Sequence, residues 1–364
     1  MGKEPDKRDR RSDPLRGRGA VTNPPGRFER TPCEVVDDGW GEADAREHRI
    51  ATTVEPDRAR GMITRNASPD VPFEQSINPY RGCEHGCVYC FARPSHAYLG
   101  LSPGLDFETR LFYKADAGRL LATELDAPGY VCRPITLGAN TDPYQPIERE
   151  RRVTRSILEV LAARCHPVSL ITKGTLIERD LDLLVALAER ECVHVLVSVT
   201  TLDDSLKRVL EPRAAAPAAR LATIRRLRAA GVPVGVLVAP VIPALTDHEI
   251  EAIVDACAQA SAQSIGYVLL RLPHELGGLF TAWLEQHYPD RAARVLGRIR
   301  EMRGGRLNDP RFGHRMRGEG AYAELLDRRF RLAVARAGLQ GRGLPSLATD
   351  RFVKHPGGQL ALEL

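Results

Sequence analysis

From residue 75 onward the chain alternates short apolar, β-branched runs with longer amphipathic segments. The runs QSINPYR (75–81), RPITLGA (133–139), PVSLITK (167–173), VHVLVSVT (193–200), VPVGVLVA (232–239) and SIGYVLLRL (264–272) predict strands. Several are apolar almost throughout, as strands covered on both faces are. Helical periodicity follows each run, over roughly 116–126, 147–164, 177–190, 217–230, 247–260 and 275–287. Thr175-x-x-Glu178 and Thr246-x-x-Glu249 predict capping boxes, and Pro146 with Glu148 predicts a helix start with a carboxylate in its first turn. Repeated βα units predict an α/β fold with a parallel sheet. The pattern alone leaves two architectures open, a doubly wound sheet and an incomplete barrel.

Outside this stretch the pattern changes. Residues 1–60 show no hydrophobic period and many Pro, Gly and charged positions, which predicts a largely disordered basic segment or one draped over a surface. Beyond residue 287 the strand signal stops. Two helical segments, PDRAARVLGRIREM and GAYAELLDRRFRLAVARAGL, flank the turn RGGRLNDPRFGHRMRGEG, so 288–364 is expected to be a helical extension of a domain spanning 61–287.

Composition narrows the class. An apolar fraction of 43% suits a globular core, and no run approaches the length of a membrane span. The first thirty residues lack the apolar core of a secretory signal, so a cytoplasmic protein with reduced thiols is expected. The net charge of +5 is mild, but residues 291–331 hold twelve arginines against five acids. A solvated helical surface is one reading of that excess, and a footprint for a polyanion is the other.

Three of the eight cysteines crowd into RGCEHGCVYCFARP, where Cys83, Cys87 and Cys90 follow a C-x₃-C-x₂-C spacing. In a reduced compartment thiolates this close point to a metal centre. A structural zinc takes four ligands, and His85, lying between two of the cysteines, would reach the same ion only under strain. Three thiolates suit an iron–sulfur cluster that leaves one iron open to another ligand. Cys33, Cys132, Cys165, Cys192 and Cys257 are scattered singly and read as buried thiols.

This stretch resembles the signature of the radical SAM superfamily, with Tyr89 as the aromatic residue before the last cysteine. The resemblance implies a partial (β/α)6 barrel of the TIM type with its site at the C-terminal strand ends. It implies a [4Fe-4S] cluster on Cys83, Cys87 and Cys90, with S-adenosylmethionine (SAM) on the fourth iron. In that family an electron from an external donor, a flavodoxin or ferredoxin, cleaves SAM to methionine and a 5′-deoxyadenosyl radical that abstracts hydrogen.

If the barrel holds, polar residues where the strands end should face the cofactor. Asn140, Thr141 and Asp142 in GANTDPYQPIE stand where the family's SAM-binding Gly-Gly-Glu-like triplet lies. Lys173, ending LITK, is one of only six lysines and is expected to meet the SAM carboxylate. Ser198 and Thr200 share a strand face and suit ribose or carboxylate contacts. Glu211 and Arg213 are placed as lid residues, and Pro240 and Pro243 as stiffeners along the adenine.

Through INPYRGCEHGCVYCFAR, TDPYQPIE, LITKGTLIERD, TTLDDSLKRVLEPR and LVAPVIPALTD the chain is similar to the branch related to spore photoproduct lyase. That branch uses a cysteine near the end of strand two as a hydrogen-atom donor. GANTDPY has none, and Cys132 sits at the other end of the strand, which argues against DNA-lesion repair. The expectation is a radical SAM enzyme with a nucleic acid as the leading substrate class. The competing class is a non-enzymatic nucleic-acid-binding module stapled by zinc or an iron–sulfur centre.

Overall fold

The computed structural model describes residues 17–29 and 50–354. Six strands carry the sheet: β1 Gln75–Ile77, β2 Ile135–Leu137, β3 Val168–Thr172, β4 Val193–Ser198, β5 Val234–Val241 and β6 Ser264–Leu269. Each pairs in parallel with the strand before it in the chain. A short strand, Thr64–Arg65, lies antiparallel on the outer edge of β1. Spatial order therefore equals chain order. A doubly wound sheet reverses its order midway, whereas here every crossover steps the same way and β1 and β6 stay at opposite ends. The result is the partial barrel, open between its first and last strands.

The strands form where Val, Ile and Leu supply both faces: Ile135, Leu137, Val168, Leu170, Val195 and Val234 are all fully buried. Helices α1 Ala117–Asp126, α2 Val153–Ala163, α3 Leu181–Ala188, α4 Pro217–Ala229, α5 Ile250–Gln259 and α6 Leu276–His287 follow the strands in turn. Pro217 opens α4, where its fixed φ and missing N–H cost nothing.

Two local expectations are corrected. The helix expected over 147–164 breaks at Arg152, whose φ is +52°, into the turn Glu148–Arg151 and α2. Glu148 is drawn inside instead, accepting the Tyr80 hydroxyl and the Thr154 N–H (2.9 Å), so it caps α2 from within the core. Neither capping box forms. Glu178 pairs with Thr223 and Arg226, and Glu249 accepts the Thr201 hydroxyl and the Leu202 N–H. Tertiary partners won both carboxylates from the local caps.

The C-terminal helices α7 Pro289–Glu301 and α8 Gly320–Arg336 pack on α6 and α5. Ala323, Leu326, Phe330 and Ala333 join the same apolar core as the strands, and the Phe330 ring lies 4.6 Å from that of Tyr267 in β6. At the other terminus, residues 17–29 lie against the cysteine loop, and Thr53–Pro56 pairs with the strand Arg110–Tyr113. The remainder of the tail expected to be disordered falls outside the described residues.

Candidate functional site

The cysteine loop leaves β1 and is held by its backbone. The Cys83 N–H donates to the Phe107 carbonyl (2.9 Å), Glu84 N–H to Gln145 Oε1 (2.8 Å) and Val88 N–H to the Leu210 carbonyl (3.1 Å). Gly86 takes φ +67°, which a side chain would strain. Arg93, fully buried, donates to the carbonyls of Gly86 (3.2 Å), Cys87 (2.9 Å), Pro103 (3.2 Å) and Gly104 (2.8 Å) and pairs with buried Glu108. Glu108 in turn accepts the N–H groups of Gly19 (2.9 Å) and Ala20 (2.8 Å). Residues 17–20 are thereby strapped across the loop, so close that a Cβ on Gly19 would sit 1.7 Å from the Gly86 carbonyl oxygen.

Cys83, Cys87 and Cys90 come together with their thiols within each other's electrostatic reach. Burial pushes the Cys87 thiol up to about 12, Glu211 adding to it and Lys173 opposing. Burial likewise raises Cys83 and Cys90, while the N–H groups of Asp142 and Ala92, aimed at their sulfurs, pull the other way. Unpaired buried thiols with amide donors directed at them are what an iron–sulfur cluster asks of its ligands. No group of three donors among the described residues converges on a single metal ion. Cys132, Cys165, Cys192 and Cys257 are unpaired and lie elsewhere; Cys33 lies outside the described residues.

Lys173, at the end of β3, holds its ammonium 5.8 Å from the Tyr89 ring centroid, beside Cys87 and Cys90. Among the described residues it has neither a carboxylate within ion-pair distance nor a hydrogen bond to its side chain. Asp142 lies beneath it, accepting the Lys173 N–H (2.7 Å), the Thr172 hydroxyl (2.7 Å) and the Tyr144 N–H (2.9 Å), with His85 Nδ1 at 3.2 Å. Burial would raise the Asp142 carboxyl, but His85 and these donors hold it at about 2. The Thr141 hydroxyl donates to the Tyr80 carbonyl (2.8 Å), and the Asn140 N–H to Asn78 Oδ1 (2.8 Å), so both tie the β2 loop to the β1 end. The Asn140 side chain itself has no partner among the described residues.

On the opposite wall, the Tyr89 hydroxyl donates to Glu211, whose other oxygen pairs with Arg220. Thr200 donates to Glu211 (2.7 Å), and Arg220 donates to the Ser198 carbonyl (3.0 Å). Burial pushes Glu211 up, and Arg220 with Lys173 outweighs it, leaving the carboxyl at about 2. Glu211 is fully buried, a strut rather than a lid. Arg213 remains at the rim, its N–H on the His85 carbonyl (3.2 Å) and its guanidinium 3.2 Å from Glu84. Pro240 and Pro243 follow on the β5 end. Arg93, Glu108, Gln145 and Arg220 were missed from sequence, because no spacing rule ties them to the cysteines.

Of the twelve arginines of 291–331, seven are engaged within the fold, and Arg291, Arg294, Arg300, Arg306 and Arg328 stay exposed with no side-chain hydrogen bond or ion pair among the described residues. Arg303 is buried on the carbonyls of Leu270 (2.8 Å), His314 (3.0 Å) and Arg315 (2.8 Å). Arg315 pairs with Asp70, Arg317 with Asp327 (3.3 Å) and Arg311 with Asp309 (2.7 Å). No described helix is long and apolar enough to cross a membrane.

Comparison with known proteins agrees with this geometry. The radical SAM superfamily profile matches residues 77–257. An uncharacterised protein of Mycobacterium tuberculosis is 37% identical over 279 residues, 76% of this chain and 78% of its own. Another, from Methanocaldococcus jannaschii, is 25% identical over 219 residues, 59% of this chain and 76% of its own. Among solved structures, spore photoproduct lyase complexed with dinucleoside spore photoproduct superposes with a TM-score of 0.55 at 16% identity, covering 78% of each chain. That likeness is one of fold.

Proposed function

Because this chain belongs to the radical SAM superfamily, whose enzymes use a [4Fe-4S] cluster and SAM, we propose that Cys83, Cys87 and Cys90 hold the cluster here and that Lys173 binds the carboxylate of SAM. When bound, the cluster supplies the electron that cleaves SAM to methionine and a 5′-deoxyadenosyl radical, which takes a hydrogen atom from the substrate. The observation that carries the reading is the unpaired Lys173 ammonium beside two of the three cysteines. A half-buried ammonium with no hydrogen bond or ion pair among the described residues is a ready partner for an anionic ligand.

The chain's own residues do the positioning. Asp142 fixes the Lys173 backbone and the His85 ring, and Thr141 anchors the loop. Asn140 and Ser198 offer polar side chains to the cofactor's amino and ribose groups. Tyr89, held by Glu211 and Thr200, forms an apolar wall that keeps water from the reacting centre. Arg213 closes the rim. Radical SAM enzymes need an external reductant; a flavodoxin- or ferredoxin-type protein in the cytoplasm is the donor proposed.

Replacing any of Cys83, Cys87 or Cys90 by Ala should abolish reconstituted cluster iron, while Cys132, Cys165, Cys192 and Cys257 tolerate the change. Lys173→Ala, with iron content intact, should weaken SAM binding about 10- to 150-fold by calorimetry, the loss of one charge-assisted contact. An unchanged dissociation constant would return Lys173 to a purely structural role.

The substrate proposed is a nucleic acid. Its support is the exposed arginines of 291–331 together with a face beside the cysteine loop. There the Arg27 guanidinium lies 4.6 Å from the Phe28 ring and 5.0 Å from that of Tyr98, rings 54% and 72% exposed. Exposed aromatics interleaved with arginine suit stacked bases and a phosphate backbone. Filter binding of single- and double-stranded DNA and RNA at two salt concentrations tests it. Retention that does not fall with salt removes the nucleic-acid reading.

A further inference from the structure

Arg271 stands just past the C-terminal end of β6, on the strand-end rim where parallel α/β folds take their ligands. Among the described residues its buried Nε has no hydrogen-bond partner, and its Nη1 reaches the Met316 sulfur alone, 3.7 Å away. The guanidinium lies over Phe91, 5.5 Å from the ring centroid. Phe91 directly follows the third cluster cysteine and is 47% exposed.

The surroundings add positive charge and little to cancel it. Arg303 and Arg315 act on Arg271 from the C-terminal segment, and Asp70 is the acid that faces the group. Asp70 is already engaged by Arg315 and by the Gly313 N–H (2.7 Å), and Arg303 is spent on carbonyl oxygens. Burial, followed by Arg315 and Arg303, pushes Arg271 down to about 10. Nothing in the SAM-binding set described above calls for a cation here. A guanidinium with a free buried donor, like-charged neighbours and an exposed aromatic face is completed by an oxyanion joined to a flat ring.

We propose that Arg271 and Phe91 form a substrate subsite in which Arg271 takes a phosphate oxygen and Phe91 stacks on the adjoining base. The proposal rests on the nucleic-acid reading above and names the residues that read the substrate next to the cluster. It also gives the third cysteine's neighbour a function: the ring that holds the substrate is one residue from the metal centre.

Fluorescence anisotropy of the reconstituted full chain tests it with three probes: a labelled oligothymidylate, its uncharged methylphosphonate counterpart and thymidine monophosphate as competitor. Arg271→Gln should weaken oligothymidylate binding about tenfold, Phe91→Ala by a similar factor, and Arg271→Lys by less. The methylphosphonate probe should bind the wild type no better than the charged one binds Arg271→Gln. Iron content and SAM affinity, expected to be unchanged, show that each variant is folded; if Arg271→Gln is not, Arg271→Lys and Phe91→Ala decide. Oligothymidylate binding that ignores all three substitutions overturns the subsite while leaving the nucleic-acid reading standing. Thymidine monophosphate binding measured by calorimetry that is lost in Arg271→Gln, with no oligothymidylate bound by the wild type, keeps the phosphate subsite and removes the nucleic acid. No binding of any probe overturns both.

Discussion

Arginine does opposite work in two parts of this molecule. Around the cysteine loop, Arg93 and Arg220 are buried, each spreading its donors over backbone carbonyls and one buried carboxylate. Along 291–331, arginines such as Arg298 and Arg311 are 40% and 58% exposed and pair with neighbours a few residues away. The first kind ties distant segments together: Arg93 and Glu108 link the cysteine loop to residues 17–20, and Arg220 and Glu211 link α4 to Tyr89. The second kind neutralises local charge in water. A count of arginines per segment therefore does not tell the two kinds apart. Near the cysteine loop the buried Arg93 and Arg220 are fully engaged, whereas the half-buried Lys173 and Arg271 keep unpaired donors.

The largest effect that sharpens this contrast is expected at the buried struts. Arg93→Ala or Glu108→Ala leaves an uncompensated charge in the core and should cost about 3–5 kcal/mol in denaturant unfolding, with loss of reconstituted iron. A double variant that replaces both by apolar residues should recover much of the stability. Retained stability in the single variants would erase the distinction drawn between the two regions.

A smaller effect follows from the strap. Gly19→Ala drives a methyl group into the Gly86 carbonyl and must displace residues 17–20. About 1–3 kcal/mol of destabilisation is expected, together with faster proteolysis ahead of residue 50. Unchanged proteolysis would mean that the strap contributes nothing to the loop.

Smaller still is the response of the surface pairs. Hydrogen bonds from Arg311 hold the Asp309 carboxyl at about 2, below its usual range. A carboxyl depressed in the folded state stabilises above its unfolded value, here near pH 4, and that stabilisation disappears as pH falls through about 2. Arg311→Ala should return Asp309 toward the ordinary value by NMR titration, with little change in melting temperature near neutral pH. Arg298→Ala should leave the melting temperature where it is, since an exposed pair three residues apart adds little. A clear drop in melting temperature for either would make the C-terminal arginines structural after all.

Much of this protein was legible before any coordinates. Short, nearly continuous apolar runs marked β1 to β6, and amphipathic segments marked the helices between them, because burial on both faces or on one leaves its pattern in the sequence. The C-x₃-C-x₂-C spacing marked the proposed cluster ligands, since ligands supplied by one short loop are close in sequence. Lys173 was found at its strand end because lysine is rare here. The capping boxes failed for the opposite reason: Glu178 and Glu249 had the right local spacing, but partners on distant segments outcompeted it.

Only the tertiary structure decided the rest. Spatial strand order distinguished a partial barrel from a doubly wound sheet, which identical βα periodicity does not. It brought Arg93 to Glu108 and Gly19, Arg220 to Glu211 and Tyr89, and Arg271 to Phe91 across a separation of 180 residues. Chain-local chemistry leaves a spacing in the sequence. Contacts made between separate elements leave none, because they depend on where the sheet's curl places each strand end.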